Sequence, residues 1–364
     1  RVGQGRGHRL SPPRQPALVS HGLWASGELA AGAGLPARLD WRFDVAGIEQ
    51  ARALALHSPS GGVMLFAAMG DGLGGGAWEV PGKAPEAGLF RPCRETNPSV
   101  DAAWRAPRVV ARTVEGGSGG AVSVDGGASW TDFGAQQLVK DARGGHVAVS
   151  ARGGAIVWSP PRQPALVSHD RGRTWTVCKG WPDAREVDLV PVAEKNVEGV
   201  FYVLDIVQGQ VLVSVDAGRS FAPSLTGLPS LNPSWQRGVL VSAPGKLRDL
   251  WIGLPDALVN VGGVEAGART VRNVAAAHHI ALGAAAPGAA YPSLYLVGRV
   301  LIAGRPLDGL FRSDDAGASF QPLFDDRHRF GAVLSLAADP LEYGTVYLAS
   351  QGRGVFVGRP GQTS

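Results

Sequence analysis

The sequence predicts an all-β fold, a β-propeller of about seven blades, each a four-stranded antiparallel sheet. Two observations carry this prediction. A short motif recurs at a regular interval, and the chain between its copies consists of short apolar runs bounded by Gly, Pro, Asp and Ser. Repeats of roughly 40–50 residues built from short strands are typical of propellers, in which one repeat forms one blade. The 364 residues of the chain therefore suffice for about seven blades.

The recurring motif has the form S-x-D-x-G-x-[ST]-[WF]. Its complete copies are SVDGGASW at 123–130, SHDRGRTW at 168–175, SVDAGRSF at 214–221 and SDDAGASF at 313–320. The four acids are Asp125, Asp170, Asp216 and Asp315, which are spaced by 45, 46 and 99 residues. The last interval is about two periods, and a degenerate copy without the acid falls inside it, in ALVNVGGVEAGARTV at 257–271.

A structural role explains this repetition better than a catalytic one, because an active site does not need one acid in evenly spaced copies. An Asp carboxylate accepts hydrogen bonds from the backbone of its own turn, and a glycine takes the positive φ that a tight corner requires. The final Trp or Phe can then be buried between neighbouring sheets. The motif is the Asp-box, or BNR repeat, and we predict one structural corner in each blade that carries it.

The strands predicted between these corners are short runs of β-branched and aromatic residues bounded by turn residues. In chain order they include GHVAVSA (145–151), GAIVWS (154–159), VFYVLDI (200–206), GQVLVSVD (209–216), SLYLVGRV (293–300), TVYLAS (345–350) and GVFVG (354–358). The phrase SPPRQPALVSH occurs twice, at 11–21 and at 159–169, and only the second copy continues into a complete box. We therefore expect an irregular segment over 1–35 with a partial duplicated repeat, and a single propeller over 36–364.

The composition excludes several functional classes. The net charge of +4 comes without a dense basic run, so no nucleic-acid interface is expected. No run of about 18 apolar residues occurs, which argues against a membrane span. The two cysteines, Cys93 and Cys178, have no zinc-type spacing and are interpreted as isolated thiols, although a disulfide between them stays open. We expect neither a metal nor a cofactor.

Several phrases outside the boxes carry a resemblance to one family. They are WRFDVAGIEQARALALHSPSGGVMLFAAMGD (41–71), LRDLWIGLPDALV (247–259), GLFRSDDAGASFQPLFDDRHRFG (309–331) and DPLEYGTVYLASQGRGVFVG (339–358). In order and spacing they resemble the second propeller of glycoside hydrolase family 74, the xyloglucanases. The resemblance covers about residues 41–358. It implies a secreted enzyme that cleaves the β-1,4-glucan backbone of xyloglucan with inversion, although the chain contains no signal peptide.

The family resemblance also implies where the chemistry lies. Enzymes of this family consist of two facing propellers, each of which supplies one catalytic aspartate. The acid of the second propeller follows an apolar strand in a Gly-Asp pair, which corresponds to Asp71 after VMLFAAMG. In this chain the sequence continues as GDGLGGGAW, without the phenylalanine that is usual in the family. The resemblance extends over one propeller only, so the general base would come from a missing or separate first propeller.

The remaining candidates are aromatic and polar residues in predicted loops. Trp78, Trp181 and Trp235 lie in Gly/Pro-rich stretches and are predicted to bind sugar rings, with packing at the blade edges as the alternative. Trp130, Trp158, Trp175 and Trp251 fall in boxes or strands and are predicted to be core. The stretch DDRHRFG places Asp326 and His328 beside Asp325, and we interpret it as a hydrogen-bonded loop that lines the cleft rather than a metal site.

Two other functions stay open. A sialidase also carries Asp-boxes, but it needs a tyrosine nucleophile and an arginine cluster. Four of the five tyrosines belong to the phrases that resemble family 74, and the fifth, Tyr202, lies in a plain strand. A propeller without catalytic activity that binds a glucan or a protein is the main alternative to an enzyme, because fold alone does not determine function.

Overall fold

The computed structural model describes residues 39–44, 53–61, 64–70, 72–77, 95–135, 138–182, 187–263, 267–325, 330–351 and 354–360. These residues contain 27 β-strands and no α-helix. Accordingly, this part of the chain offers no helix with the length and apolar character of a transmembrane span.

The strands form seven antiparallel sheets, which we number as blades 1 to 7. Blade 1 contains β2 (Ala53–His57), β3 (Met64–Met69) and β4 (Gly72–Ala77). Blade 2 contains β5 (Val100–Ala102), β6 (Val110–Thr113), β7 (Gly120–Ser123) and β8 (Thr131–Asp132). Blade 3 contains β9 (His146–Val149), β10 (Ile156–Ser159), β11 (Leu166–Ser168) and β12 (Thr176–Val177). Blade 4 contains β13 (Pro191–Ala193), β14 (Phe201–Asp205), β15 (Gln210–Ser214) and β16 (Ala222–Leu225). Blade 5 contains β17 (Val239–Ser242), β18 (Asp249–Leu254), β19 (Ala257–Gly262) and β20 (Ala268–Thr270). Blade 6 contains β21 (Val274–Ala285), β22 (Pro292–Ile302), β23 (Arg305–Ser313) and β24 (Gln321–Pro322). Blade 7 contains β25 (Val333–Ala338), β26 (Val346–Ser350), β27 (Gly354–Pro360) and β1 (Leu39–Asp44).

The predicted all-β propeller is confirmed. The innermost strands β2, β5, β9, β13, β17, β21 and β25 each contact the innermost strand of the next blade, and β25 contacts β2, so the ring is closed. Blade 7 combines both ends of the propeller, because β1 pairs with β27 in the register Leu39↔Pro360 to Asp44↔Val355. The prediction of four strands in every blade holds for six blades; blade 1 has three strands within the described ranges.

The connections between strands fall on two faces of the ring. Because successive strands of a blade are antiparallel, connections from the first to the second strand and from the third to the fourth share one face. The Asp-box turns all connect third and fourth strands, so we call this side the box face. The opposite side, the loop face, carries the second-to-third connections and the passages between blades.

Each box turn is held by its own aspartate. In blade 3 the Asp170 carboxylate accepts hydrogen bonds from Ser168 Oγ (2.9 Å), Thr174 N–H (2.8 Å) and Thr174 Oγ1 (2.6 Å). Burial alone would raise the pKa of Asp170, but the bonds from Thr174 and Ser168 together lower it. In blade 2 the equivalent bonds from Ser129 and Ser123 lower the pKa of Asp125 to about 2. Asp216 and Asp315 accept the same set of bonds.

The hydrophobic core lies between adjacent blades. Trp158 and Trp251 are 0% exposed, which confirms the prediction that they are core residues. Between blades 2 and 3, Trp158 packs against Phe133 and Trp175 with ring centroids 5.1 and 5.6 Å away. Trp175 is the last residue of a box, so the box delivers its aromatic ring into the space between two sheets. The box residue Trp130 is only half-buried, against the cluster between blades 1 and 2. Because the seams are filled in this way, a candidate functional site is to be sought on the connections.

Polar side chains link the innermost strands around the central channel. Asp101 Oδ2 accepts a hydrogen bond from Val149 N–H (2.8 Å), and Asp101 Oδ1 lies 3.4 Å from His57 Nδ1 and 3.5 Å from Lys195 Nζ. These contacts join blades 1, 2, 3 and 4. Burial lowers the pKa of His57 to about 4, against the opposing effect of Asp101. Burial likewise lowers the pKa of His279 to about 4.

Because the pKa values of these two histidines are lowered, we expect the propeller to lose stability in mild acid. A histidine whose pKa is lowered by folding binds a proton more readily in the unfolded state. Its contribution to stability is therefore complete above the ordinary pKa of 6.5. This contribution is lost as the pH falls towards the folded-state pKa of about 4. We expect the melting temperature to fall steadily between about pH 7 and pH 4.5. His279→Gln should reduce this slope in calorimetric scans. If the melting temperature of His279→Gln fell with pH as steeply as that of the unchanged protein, His279 would not contribute to this pH dependence.

Candidate functional site

The loop face carries Trp181 and Trp235, two of the residues predicted from the sequence, and also Asp325. Trp181 lies between β12 and β13, Trp235 between β16 and β17, and Asp325 between β24 and β25, and each of these passages crosses the loop face. Strand β3 also ends there, at Met69, which pairs with Gly72 at the start of β4. Asp71, Trp78, Asp326 and His328 lie outside the described residues. The loop face is therefore the surface on which a site of the predicted kind would form.

The strand β4 crosses the sheet of blade 1 from one face of the ring to the other. The chain passes from Gly72 at the loop face to Ala77, which pairs with Met64 at the other end of the sheet. Five residue steps at about 3.4 Å each give roughly 17 Å between these ends.

Trp181 packs into the protein more than it faces solvent. Its ring meets Phe221 edge-on with centroids 4.8 Å apart, and it lies against the apolar cluster between blades 3 and 4. Its indole Nε1 is buried and has no hydrogen-bond partner among the described residues. The environment of Trp181 therefore agrees better with packing at a blade edge than with binding of a sugar ring.

Trp235 has the opposite character. It is 72% exposed, the highest value among the large apolar side chains that the structure describes. A compact turn holds its backbone: Asn232 N–H donates to Gln236 Oε1 (2.7 Å), and Gln236 N–H donates back to Asn232 O (2.9 Å). Ser234 N–H donates to Asn232 Oδ1 (3.0 Å). The indole is thus presented to solvent by a turn that is fixed by its own hydrogen bonds.

Blade 6 extends beyond the other blades at the same face. Its first three strands have 12, 11 and 9 residues, and the hairpin from Arg299 to Asp308 continues past the core of the blade. Arg299 Nε and Nη2 bind both carboxylate oxygens of Asp308 across the hairpin, at 2.9 and 3.0 Å. The turn at Ala303 and Gly304 has positive φ angles of 49° and 78°. The sequence prediction ended this strand at Val300 and missed the extension.

Exposed apolar side chains are concentrated on the loop face. Of the eleven large hydrophobic residues that are exposed in the described part of the chain, seven lie there: Leu138, Val177, Val190, Val207, Trp235, Leu301 and Leu307. The box face carries the other four, Val124, Val215, Leu247 and Leu341. The seven are spread over the connections and strand ends of blades 2 to 6, and single exposed apolar residues of this kind are common.

The described residues offer no group of three or more His, Cys, Asp and Glu side chains that could hold a metal ion. Cys178 is a buried free thiol whose pKa is raised to about 12, chiefly by burial. Cys93 lies outside the described residues. A thiol with so high a pKa is protonated at neutral pH and is not a nucleophile.

Comparison with known proteins agrees with this description. No protein-family model matches the chain. Xyloglucanase Xgh74A from Acetivibrio thermocellus is 30% identical over 321 residues, which cover 86% of this chain and 36% of the relative. An oligoxyloglucan-reducing end-specific xyloglucanase from Emericella nidulans is 28% identical over 353 residues, or 86% of this chain and 42% of the relative. The solved GH74 xyloglucanase from Xanthomonas campestris superimposes with a TM-score of 0.73 at 30% identity and covers 86% of this chain and 43% of that chain.

The chain spans less than half the length of these relatives. The resemblance to glycoside hydrolase family 74 is confirmed over 86% of the chain, in sequence and in fold. The activity and substrate that the relatives' names state belong to proteins of about twice this length.

Proposed function

We propose that this homologue of the family 74 xyloglucanases is the second propeller of a two-propeller glycoside hydrolase that cleaves xyloglucan or a related β-1,4-glucan with inversion. The observation that carries the proposal is the 30% identity to a xyloglucanase over 86% of the chain, together with the matching propeller. As in an enzyme of this class, the substrate would be a polysaccharide outside the cell, so we also propose a secreted protein.

In this proposal Asp71 is the general acid. Inverting hydrolysis needs a protonated carboxyl that gives its proton to the leaving oxygen and an ionised carboxylate that activates water on the opposite face of the sugar. The two groups stand roughly 6.5–9.5 Å apart in such enzymes, which leaves room for the water. A cleft between two rigid propellers can hold this separation. The general base would belong to a first propeller, which the resemblance implies.

The surface of the loop face is consistent with a partner domain that covers it. Seven exposed apolar side chains lie on it, and the blade 6 hairpin rises beside them. A face of this kind gains free energy when it is covered by another domain, because apolar surface is removed from water. We propose that the first propeller covers part of the loop face and leaves a cleft for the glucan.

Trp235 is the substrate-binding residue that the structure supports best. Its indole is exposed on a turn whose backbone is held by hydrogen bonds, so a glucose ring could stack on it through axial C–H groups. Trp78, Trp181, Asp326 and His328 stay proposals for the same role, and the packing of Trp181 weakens its case. In the alternative function, a propeller that binds glucan without cleaving it, Trp235 keeps this role and Asp71 has none.

Assays of the purified chain distinguish the two functions. Release of reducing ends from xyloglucan and from unsubstituted β-1,4-glucan would show that the chain holds or recruits a complete acid–base pair. Retardation in a xyloglucan affinity gel without any release of reducing ends would support a propeller that binds but does not cut by itself. If the chain showed no release of reducing ends and no retardation, both functions would be contradicted.

Trp235→Ala should weaken retardation in the xyloglucan gel. Loss of one aromatic contact costs about 0.5–1.5 kcal/mol beyond the loss of buried area, which corresponds to roughly two- to tenfold in the dissociation constant. Gln236→Ala removes the bond from Asn232 N–H and should give a smaller loss through a less ordered turn. Leu341→Ala, at an exposed apolar residue on the box face, is the matched control and should bind like the unchanged protein. Equal retardation of all four proteins would exclude Trp235 from the binding surface.

A further inference from the structure

The box face of blades 2 to 5 carries a concentration of exposed arginine side chains. Four belong to the connections from the first to the second strands, three to box turns and one to β20. In chain order they are Arg105, Arg108, Arg152, Arg171, Arg173, Arg219, Arg248 and Arg269. We call this surface the arginine arc. Among the described residues of the same connections, Glu198 is the one exposed acidic side chain.

The acidic groups near these arginines are engaged in the fold. The box aspartates of blades 2, 3 and 4 accept hydrogen bonds from their own turns. Glu198 accepts bonds from Ser150 Oγ (2.6 Å) and Gly154 N–H (3.0 Å) of the preceding blade. None of the eight arginines forms an ion pair with a carboxylate that the structure describes, and Arg219 and Arg269 donate only to backbone carbonyls. The arc therefore presents more positive than negative charge to solvent.

Hydrogen bonds between blades place the arginines on one continuous surface. Arg105 N–H donates to Ala151 O (2.6 Å), which joins the first-to-second strand connections of blades 2 and 3. The bonds to Glu198 join the same connections of blades 3 and 4. Gly245 N–H donates to Asn196 Oδ1 (2.7 Å), which joins those of blades 4 and 5. The arc is therefore an extended surface that spans four blades.

Two of the arginines have backbone conformations that disfavour any residue with a Cβ atom. The φ angle is 62° at Arg171 and 53° at Arg248. The box position of Arg171 is taken by Gly126 in blade 2 and by Ala217 in blade 4, also with positive φ. The turn therefore needs no long side chain at this position, and Arg171 adds a charge to it. Residues held in unfavourable conformations are frequent at functional sites.

We propose that the arginine arc binds an acidic polysaccharide, a linear sugar polymer that carries carboxylate groups. A guanidinium group binds a carboxylate through two parallel hydrogen bonds, which a lysine cannot do. A surface that spans four blades suits an extended polymer with several charges better than one small anion. The choice of a polysaccharide rests on the proposed function, because a secreted glycoside hydrolase acts among sugar polymers.

The apolar side chains of the arc favour a polysaccharide over a single-stranded nucleic acid. Proteins that bind single strands stack the bases on exposed aromatic rings. The large apolar side chains that are exposed in the described part of the arc are Val124, Val215 and Leu247, which are all aliphatic. The arc also lies on the opposite side of the ring from Trp235, so an acidic polymer and a neutral glucan could bind at the same time.

An affinity gel that contains polygalacturonate tests the proposal with the whole chain. This linear polymer carries one carboxylate on each sugar ring. We expect it to retard the chain at low ionic strength, and we expect the retardation to weaken as salt is added, because salt screens exposed charges. A chain that is not retarded by polygalacturonate at low ionic strength would overturn the proposal.

Two double variants separate the arc from the net charge. Arg173→Ala with Arg219→Ala should raise the dissociation constant for polygalacturonate by roughly 2- to 25-fold, since one exposed ion pair contributes about 1.4- to 5-fold. Arg162→Ala with Arg305→Ala removes two exposed arginines from the loop face and should bind like the unchanged protein. Equal weakening in the two double variants would show attraction by net charge alone and would overturn the proposal.

Arg171→Gly separates binding from stability. The variant places in blade 3 the residue that blade 2 has at this box position, Gly126, so it should keep the melting temperature while retardation weakens. Retardation as strong as that of the unchanged protein would remove Arg171 from the binding surface and contradict the role assigned to its conformation.

Two comparisons identify the partner and keep this inference distinct from the proposed function. Stronger retardation by single-stranded or duplex DNA than by polygalacturonate, at the same ionic strength, would assign the arc to a nucleic acid and overturn the proposal. A chain that is retarded by xyloglucan but not by polygalacturonate would reject this inference alone. A chain that is retarded by polygalacturonate, but neither binds nor cleaves xyloglucan, would support the arc and reject the proposed function.

Discussion

Under the proposed function, Asp71→Asn should lower the rate of xyloglucan hydrolysis by about 10²–10⁴-fold and leave retardation in the xyloglucan gel unchanged. The amide has the same shape as the carboxyl group but cannot give a proton to the leaving glycosidic oxygen. A loss in the maximal rate, without a loss in binding, is the signature of an interaction made only in the transition state. The assay uses the form of the protein that hydrolyses xyloglucan. This form is either the chain alone or the chain together with a domain that supplies the second carboxylate.

Asp256→Asn provides the matched control. Asp256 is an exposed aspartate in the connection from β18 to β19, the same second-to-third strand connection of blade 5 that contains Asp71 in blade 1. The change removes one negative charge, as Asp71→Asn does, so the two variants have the same net charge. Equal activities of the two variants would remove Asp71 from the mechanism and favour the function in which the propeller binds without cutting.

The propeller could be predicted from the sequence because its most regular feature is local. In each box, the serine, the aspartate and the glycine that hold the turn lie within five residues of one another, and Ser168, Asp170 and Gly172 show the same bonds as their counterparts in the other boxes. A turn that is stabilised by its own side chains leaves a readable pattern. The spacing of the boxes then indicated the blade repeat, and the burial of Trp158 and Trp251 followed from their strands.

The environments of Trp181 and Trp235 could not be separated from the sequence. Both follow β-strands in Gly/Pro-rich connections of the same kind. One ring meets Phe221 of the next blade, and the other meets solvent. The difference depends on what a neighbouring blade offers, which local sequence does not contain. The blade 6 hairpin is a similar case, because its extension is anchored by the bond from Leu301 N–H to Asn273 O (2.8 Å) outside the hairpin.

Gly218→Ala should destabilise the propeller strongly. Gly218 has a φ of 84°, where a residue with a Cβ atom is strained by about 1–2 kcal/mol. Its new Cβ would also lie 2.7 Å from Val157 Cγ2 and 3.0 Å from Val167 Cγ2 of the preceding blade. Forcing a methyl group into such a packed seam costs roughly another 1–3 kcal/mol. We expect a total loss of about 2–5 kcal/mol in the free energy of unfolding.

Gly227→Ala separates the two contributions. Gly227 has nearly the same φ, 83°, but apart from its chain neighbours no atom lies within 4 Å of the position that a Cβ would take, so this variant should show the backbone strain alone. In denaturant titrations the difference between the two variants measures how tightly a box corner is pressed against the preceding blade. If Gly218→Ala lost no more stability than Gly227→Ala, the seam would be able to open around a methyl group. The box glycine would then serve only the geometry of its own turn, and the contact between blades 3 and 4 would depend on the aromatic rings and not on the corner.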